Sequence, residues 1–238
     1  MSATIKDSVV VITGATGAIA QALIAEMRVR GAAKIYAAAR DVPALAASDK
    51  IVPLKLDVTS DADAAAAAAL ASDVTLLINN AGVNHNTSLL AAPDLAIARE
   101  EIEINYLAPL RLTRAFAPVL IKNQGAVLTI LTILARVNLP IMGSYCASKA
   151  AALSLTQGLR GELAPKGVRV VGALPGAVDT RMTAGLPIPK MTPADAAKEI
   201  LDGYDAGEED IYVGDLAKGL AAGLAQDHKA VEKQLASG

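Results

Sequence analysis

The chain has 238 residues, 53% of them hydrophobic and 3% aromatic, with a formal net charge of −2. That length, with no long polar or Gly/Ser/Pro-rich linker, suits one large α/β domain about as well as two small ones and is ample for a sizeable core. Scattered basic residues and few rings argue against a nucleic-acid surface, apolar runs of strand length or broken by Gly and Pro supply no membrane span of about 20 residues, and His85 and His228 lack a second His or Cys at metal-ligand spacing, so no metal is expected.

The N-terminal MSATIKDS lacks the apolar stretch of a signal peptide and leads directly into an apolar run, Val9–Thr13, read as the first strand. Cys146 is the only cysteine, which excludes an internal disulfide and fits a reducing, cytoplasmic setting. Ala18–Arg30 has helical composition and stops at Gly31. Lys34–Ala39 and Val52–Leu56 read as the second and third strands. Asp61–Ser72 is nearly all alanine, the best helix former, and reads as a thin crossover helix. Val74–Asn79 is a fourth strand. Leu95 to Gln124 holds two helical stretches around Asn105. Ala126–Leu134 is a fifth strand, Ser144–Leu163 a helix and Val168–Leu174 a sixth strand. Thr192–Tyr204 is a helix with Thr192 as its cap and Pro193 at its first position. Ile211–Val213 is a short last strand. Strands apolar on both faces, alternating with helices, predict a doubly wound α/β domain: a parallel sheet of about seven strands covered on both sides, the Rossmann arrangement, over residues 1–238.

The first strand runs into "TGATGAIA". Gly14 sits at the tight turn and Gly17 three residues on, where bare backbone lets a phosphate approach. The helix beginning near Ala18 aims free N–H groups at that position. Ala20 occupies the third site, where close contact of helix and strand is needed and alanine is accepted. No Gly-Lys-Ser/Thr follows, so a phosphate-handling NTPase loop is a poor match. The second strand ends in Ala39-Arg40. An acid there would favour NAD; an arginine suits a 2′-phosphate. In "GSYCASKAAALSL", Tyr145 and Lys149 lie four apart and share a helical face. A tyrosine is a poor base at neutral pH, and a nearby ammonium favours its phenolate.

These residues, in order, resemble the short-chain dehydrogenase/reductase family of the core, single-domain type. The resemblance runs from Val9 to about Val213 and rests on Thr13-Gly14, Asp57-Val58, Asn79-Asn80-Ala81-Gly82, Asn105, Tyr145-x-x-x-Lys149 and Pro175-Gly176 with Thr180. It implies a nicotinamide cofactor, NADP(H) preferred over NAD(H) on account of Arg40. Its contacts would be Gly14, Thr16, Gly17, Ile19, Arg40, Asp57, Val58, Asn80, Ala81, Gly82, Tyr145, Lys149 and Pro175, with Val178 and Thr180 at the nicotinamide end. It implies Tyr145 as general acid/base, Lys149 holding the ribose and assisting Tyr145, and Asn105 supporting a proton-relay water. The family's core loop, Thr-Gly-x-x-x-Gly-x-Gly, is replaced by the extended branch's pattern through Gly14, Gly17 and Ala20. The family serine thirteen residues before the tyrosine is Thr132, which keeps the hydroxyl and adds a methyl.

The expected function is NADP-dependent interconversion of a carbonyl compound and an alcohol. The alternative is a cofactor-binding protein with little or no turnover. The partner is a small-molecule carbonyl or alcohol, with no nucleic acid and no membrane. Family analogy implies a homodimer or homotetramer. The short segment after Thr180, "RMTAGLPIPKM", predicts a small lid and an open pocket.

Overall fold

The computed structural model describes residues 4–42 and 48–237, so the first residues of MSATIKDS lie outside the description. The strands are β1 (Val9–Thr13), β2 (Lys34–Ala39), β3 (Ile51–Lys55), β4 (Leu76–Asn79), β5 (Ala126–Ile130), β6 (Arg169–Pro175) and β7 (Asp210–Val213). The helices are α1 (Ala18–Val29), α2 (Asp61–Leu70), α3 (Ala96–Ile102), α4 (Ala108–Lys122), α5 (Gly143–Leu163), α6 (Pro193–Ala206), α7 (Gly214–Gln226) and α8 (His228–Ala236). The strands form one parallel sheet in the order β3-β2-β1-β4-β5-β6-β7. The chain winds one way from β1 to β3 and the other way from β4, so the reversal falls between β1 and β4. This is the doubly wound arrangement expected from the alternating pattern, and the crevice at such a reversal is where these sheets bind ligands.

The central strands are apolar along most of their length because each face meets helices. Val10 and Ile12 of β1, Leu76 and Ile78 of β4, and Leu128 and Ile130 of β5 join the core under α1 and α6. The intervening Val11, Leu77 and Val127 join the opposite core under α2, α4 and α5, around Leu112, Phe116 and Leu120. The period of two thus splits each strand between two cores. Helix α2 contributes only methyl groups, Ala64, Ala67 and Ala68. It is anchored at its start, where the Ser60 hydroxyl accepts from Asp63 N at 3.1 Å and Asp63 Oδ2 accepts from Asp57 N at 2.9 Å.

Two differences from the sequence reading shape the site. The fifth strand stops at Ile130 instead of Leu134. Leu131 N still reaches Ala173 O at 2.8 Å, but from Thr132 the chain turns, with Ala135 N bonding Thr132 O at 3.0 Å. Beyond β7, α7 and α8 continue the chain, the second capped by Asp227, whose side chain accepts from Ala230 N at 3.0 Å.

The reversal between β1 and β4 is pinned by one hydroxyl. Thr13 Oγ1 accepts from Asn80 N and Ala81 N, each at 3.0 Å, and Asn80 Nδ2 donates to Thr13 O at 2.8 Å. Thr13 is 1% exposed. Thr13→Val nearly conserves shape and strands both amides, so it should destabilise the fold by about 1–3 kcal/mol. Urea unfolding of the two proteins measures this; equal midpoints and slopes would show that the amides find other acceptors.

Candidate active site

Gly14 turns out of β1 with φ +65, the left-handed region that favours glycine. A Cβ there would lie 3.0 Å from Ala81 Cα and 3.1 Å from Asn80 Nδ2, because the two strand ends nearly touch. Gly17 has ordinary extended backbone, φ −78 and ψ 153, so it is needed for space only. It caps α1, whose start has no side-chain cap and no acid in its first turn. The amides of that turn therefore have no side-chain acceptor and favour an anion. Thr16 and Ala18 are exposed around the turn, Ile19 is half-buried and Ala20 fully buried against the core.

Arg40 stands exposed directly after β2. Asp57 and Val58 follow β3. The Asp57 carboxyl is held below its usual range, first by the Thr59 amide and hydroxyl and then by the charges of Arg40 and Arg111. Asn80, Ala81 and Gly82 follow β4, and Pro175 ends β6 ahead of buried Val178 and half-buried Thr180. The structure therefore gathers the expected cofactor residues along the carboxyl ends of the strands.

Tyr145 and Lys149 project from one face of α5, 8% and 5% exposed. Lys149 Nζ donates to Ile130 O at 2.9 Å. A Cβ on Gly82 would lie 3.0 Å from Asn105 Oδ1 and 3.5 Å from Lys149 Nζ, so only a glycine lets the β4 turn share this space. Asn105 lies in a widened π turn, Glu103–Leu107, between α3 and α4. Its Nδ2 donates to Val83 O and Ser148 Oγ, both at 2.9 Å, and its Oδ1 accepts from Val83 N at 3.0 Å. Thr132 is 6% exposed and extended; its Oγ1 accepts from Leu134 N at 3.2 Å. Its side chain also stands close enough to the Tyr145 phenol to favour the phenolate.

Burial dominates both titrations. It raises the Tyr145 phenol well above its ordinary value, helped by the charges of Cys146 and Glu101 and opposed by Thr132. It pushes the Lys149 ammonium down to about 8. Tyr145 is thus a protonated donor at neutral pH, and Lys149 is a cation close to giving up its proton.

Two site residues escaped the sequence reading. Ser148 is fully buried, receives the Asn105 amide and donates to Tyr145 O at 2.7 Å. Its position three residues after Tyr145, on the same helical face, was the available signal. Glu101 is 1% exposed and accepts from His85 N at 3.0 Å and Ser144 Oγ at 2.5 Å. It lies four residues before Asn105, one helical turn away. Ser144 accordingly faces Glu101 and not the Tyr145 phenol.

The expected open pocket is not observed. The segment after Thr180 is tied at its base: Asp179 N bonds Met191 O at 2.9 Å and Met191 N bonds Ala177 O at 3.0 Å. So tethered, it folds inward, and Met182 and Leu186 cover the cluster of Met142, Tyr145 and Cys146.

The residues present fit a dinucleotide. The positive-φ turn at Gly14, the uncapped start of α1 and the bare Gly82 beside Lys149 leave a backbone-lined cradle that a Cβ at Gly14 or Gly82 would fill. The comparisons agree. A family model described as "short chain dehydrogenase" matches residues 8–189. The short-chain dehydrogenase PC-15 of Penicillium crustosum is 36% identical over 181 residues, covering 72% of this chain and 66% of that relative's length, just under two thirds. A short chain dehydrogenase from Burkholderia cenocepacia J2315, solved in complex with NADP, superposes with a TM-score of 0.95 at 42% identity, covering 98% of this chain and 99% of that one. A short-chain dehydrogenase from Sphingobium yanoikuyae, in complex with NADPH, has a TM-score of 0.75 at 28% identity, covering 92% and 96%.

The Lys149 titration is measurable without substrate or cofactor. With 13C-labelled lysine, the Cε shift of Lys149 in the free protein should report a proton lost near pH 8, charged below and neutral above. A midpoint near 10.5, the ordinary value, would show that the ammonium is solvated.

Proposed function

The chain belongs to the short-chain dehydrogenase/reductase family of nicotinamide-dependent oxidoreductases, and from that membership we propose that it interconverts a carbonyl compound and an alcohol using NADP(H). The observation that carries the reading is the buried Tyr145–Lys149 pair on α5, with Lys149 bonded to Ile130 O beside Gly82 and Asn105. The reading takes residues 1–238 as one functional domain, cytoplasmic, and a homodimer or homotetramer by family analogy. Among the described residues, no helix is long and apolar enough to cross a membrane.

The reduced nicotinamide, when bound, supplies a hydride to the carbonyl carbon. The chain's own residues do the remainder. Gly14, Gly17 and the start of α1 would receive the pyrophosphate, with Thr16 and Ile19 flanking it. Asp57, Val58, Asn80 and Ala81 would border the adenosine side, and Pro175, Val178 and Thr180 the nicotinamide side. Tyr145 gives its proton to the substrate oxygen as negative charge grows there, and burial keeps that proton available at neutral pH. Thr132 donates a second hydrogen bond to the same oxygen. The Lys149 ammonium steadies the phenolate left behind. Asn105 fixes the Gly82–Val83 backbone against α5 through its bonds to Val83 and Ser148, next to where a relay water would sit.

An NADPH preference is supported by the exposed Arg40 directly after β2, a cation suited to a 2′-phosphate, and by Ala39, which brings no negative charge. The neighbour from Burkholderia cenocepacia J2315, 42% identical and described with NADP, supports this, while neighbours of 25% identity or less are described with NAD and NADH.

Incubation with NADPH and a panel of aldehydes and ketones, following loss of reduced coenzyme, tests the reading. Turnover should fall by about a hundred- to a thousandfold in Thr132→Val, whereas Thr132→Ser retains it. Coenzyme binding without turnover across a broad panel would favour the cofactor-binding alternative. Arg40→Ala should weaken NADPH binding by roughly ten- to a hundredfold and leave NADH binding nearly unchanged, as judged by isothermal titration. Equal losses for both would show that Arg40 does not read the phosphate.

A further inference from the structure

We propose that the substrate side of this site accepts an uncharged, apolar aldehyde or ketone and discriminates against carbonyl compounds bearing a carboxylate or phosphate. The inference rests on the carbonyl-reductase reading above and adds the substrate class to it. Three separate segments bring carbon and sulfur to Tyr145. Met142 and Cys146 form one buried cluster with Tyr145, and Leu139, Met182 and Leu186 close over it. Methionines at this position supply flexible, polarisable surface that adapts to apolar groups of varied outline. The wall continues outward: Leu89 sits on Gly143 at the start of α5, where an added Cβ would meet Leu89 Cγ at 2.5 Å, and Leu89 and Ile141 are themselves 63% and 53% exposed.

The polar side chains bordering this wall are already engaged within the protein. Asn84 Nδ2 reaches Asn86 Oδ1 at 3.0 Å and Met142 Sδ at 3.3 Å. Asn86 Nδ2 donates to Met182 O, and Asn138 Nδ2 to Gly143 O, each at 3.2 Å. Ser144 is spent on Glu101. A substrate carrying a charged tail against this wall would break these bonds or set its charge against carbon and sulfur without a partner. The cation nearest Tyr145, Lys149, already donates to Ile130 O at 2.9 Å, and the carboxyl beside the phenol opposes an anion there. Glu101 is 1% exposed and close enough to act on the Tyr145 phenol. Of the cations that follow the site segments, Arg136 is held by Tyr212 and Lys190 by Ala184 O. Arg181, exposed beside Met182, is the group an anionic substrate would need.

Matched pairs test the inference: 4-acetylbenzoate against its methyl ester, and 4-carboxybenzaldehyde against benzaldehyde, with NADPH. The neutral member should have kcat/KM higher by about tenfold or more, and Met182→Lys should narrow or invert that ratio. In parallel, methionine 13C-methyl spectra of the protein with NADP+ should show the Met142 and Met182 signals moving with the neutral ketone and not with the carboxylate. Equal handling of both members, or a preference for the anion that Arg181→Ala abolishes, would overturn the inference. Methyl signals that move with the neutral ketone in a protein that reduces no carbonyl would uphold the apolar site and overturn the reductase reading instead. Silence in both measurements would overturn the inference.

Discussion

A lysine ammonium withdrawn from water has to be met by polar atoms, and the carbonyl that meets Lys149 organises the site around it. Pairing between β4 and β5 ends at Thr129. The next carbonyl, that of Ile130, is therefore left without a β4 neighbour, and Lys149 takes it. This one bond sets how far α5 can stand from the sheet, and so where Tyr145 lies. It also brings the ammonium within 3.5 Å of where a side chain on residue 82 would begin, which explains the glycine there. The π turn completes the arrangement: widening the helix at Asn105 aims its amide at Val83 and Ser148.

The layered sheet was largely legible in the sequence, for a physical reason. Strands buried on both faces have no polar positions to interrupt them, so β1, β2 and β4 stand out as unbroken apolar runs, and the helices between them fix the parallel sense. The residues now lying at the carboxyl ends of those strands were legible too, because glycine turns and strand-terminal polar residues interrupt the runs at regular places. Tyr145 and Lys149 shared a face by helical spacing alone.

The differences arose where tertiary contacts decide. Nothing in Leu131–Leu134 is locally unfavourable to a strand, and the run was read as continuous. The chain leaves the sheet after Leu131, whose amide makes the last bond to β6, and Thr132 caps the turn that follows through Leu134 N. Glu101 lies in a helical stretch with no local mark of burial; its bonds come from Ser144 and His85, which approach it from other segments. The covering of Tyr145 was missed for a related reason. The shortness of the segment after Thr180 predicts an open pocket, whereas its two ends are tied together and Met182 and Leu186 pack over Tyr145.

That tie has an evolutionary consequence. Val178 pairs with Met191, so the stretch between them is closed at its base before it touches anything else. For a flexible closed loop, doubling the length adds only about 0.6 kcal/mol of closure entropy. Residues 179–190 can therefore be lengthened, shortened or exchanged at small thermodynamic cost, without moving the end of β6 or the start of α6. The segment that covers Tyr145 is thus an interchangeable cassette, while the part built on Thr13, Gly82 and Lys149 belongs to the sheet and cannot drift without it. A lineage carrying this scaffold could exchange the cover of Tyr145 many times over while Tyr145 and Lys149 themselves stay where they are.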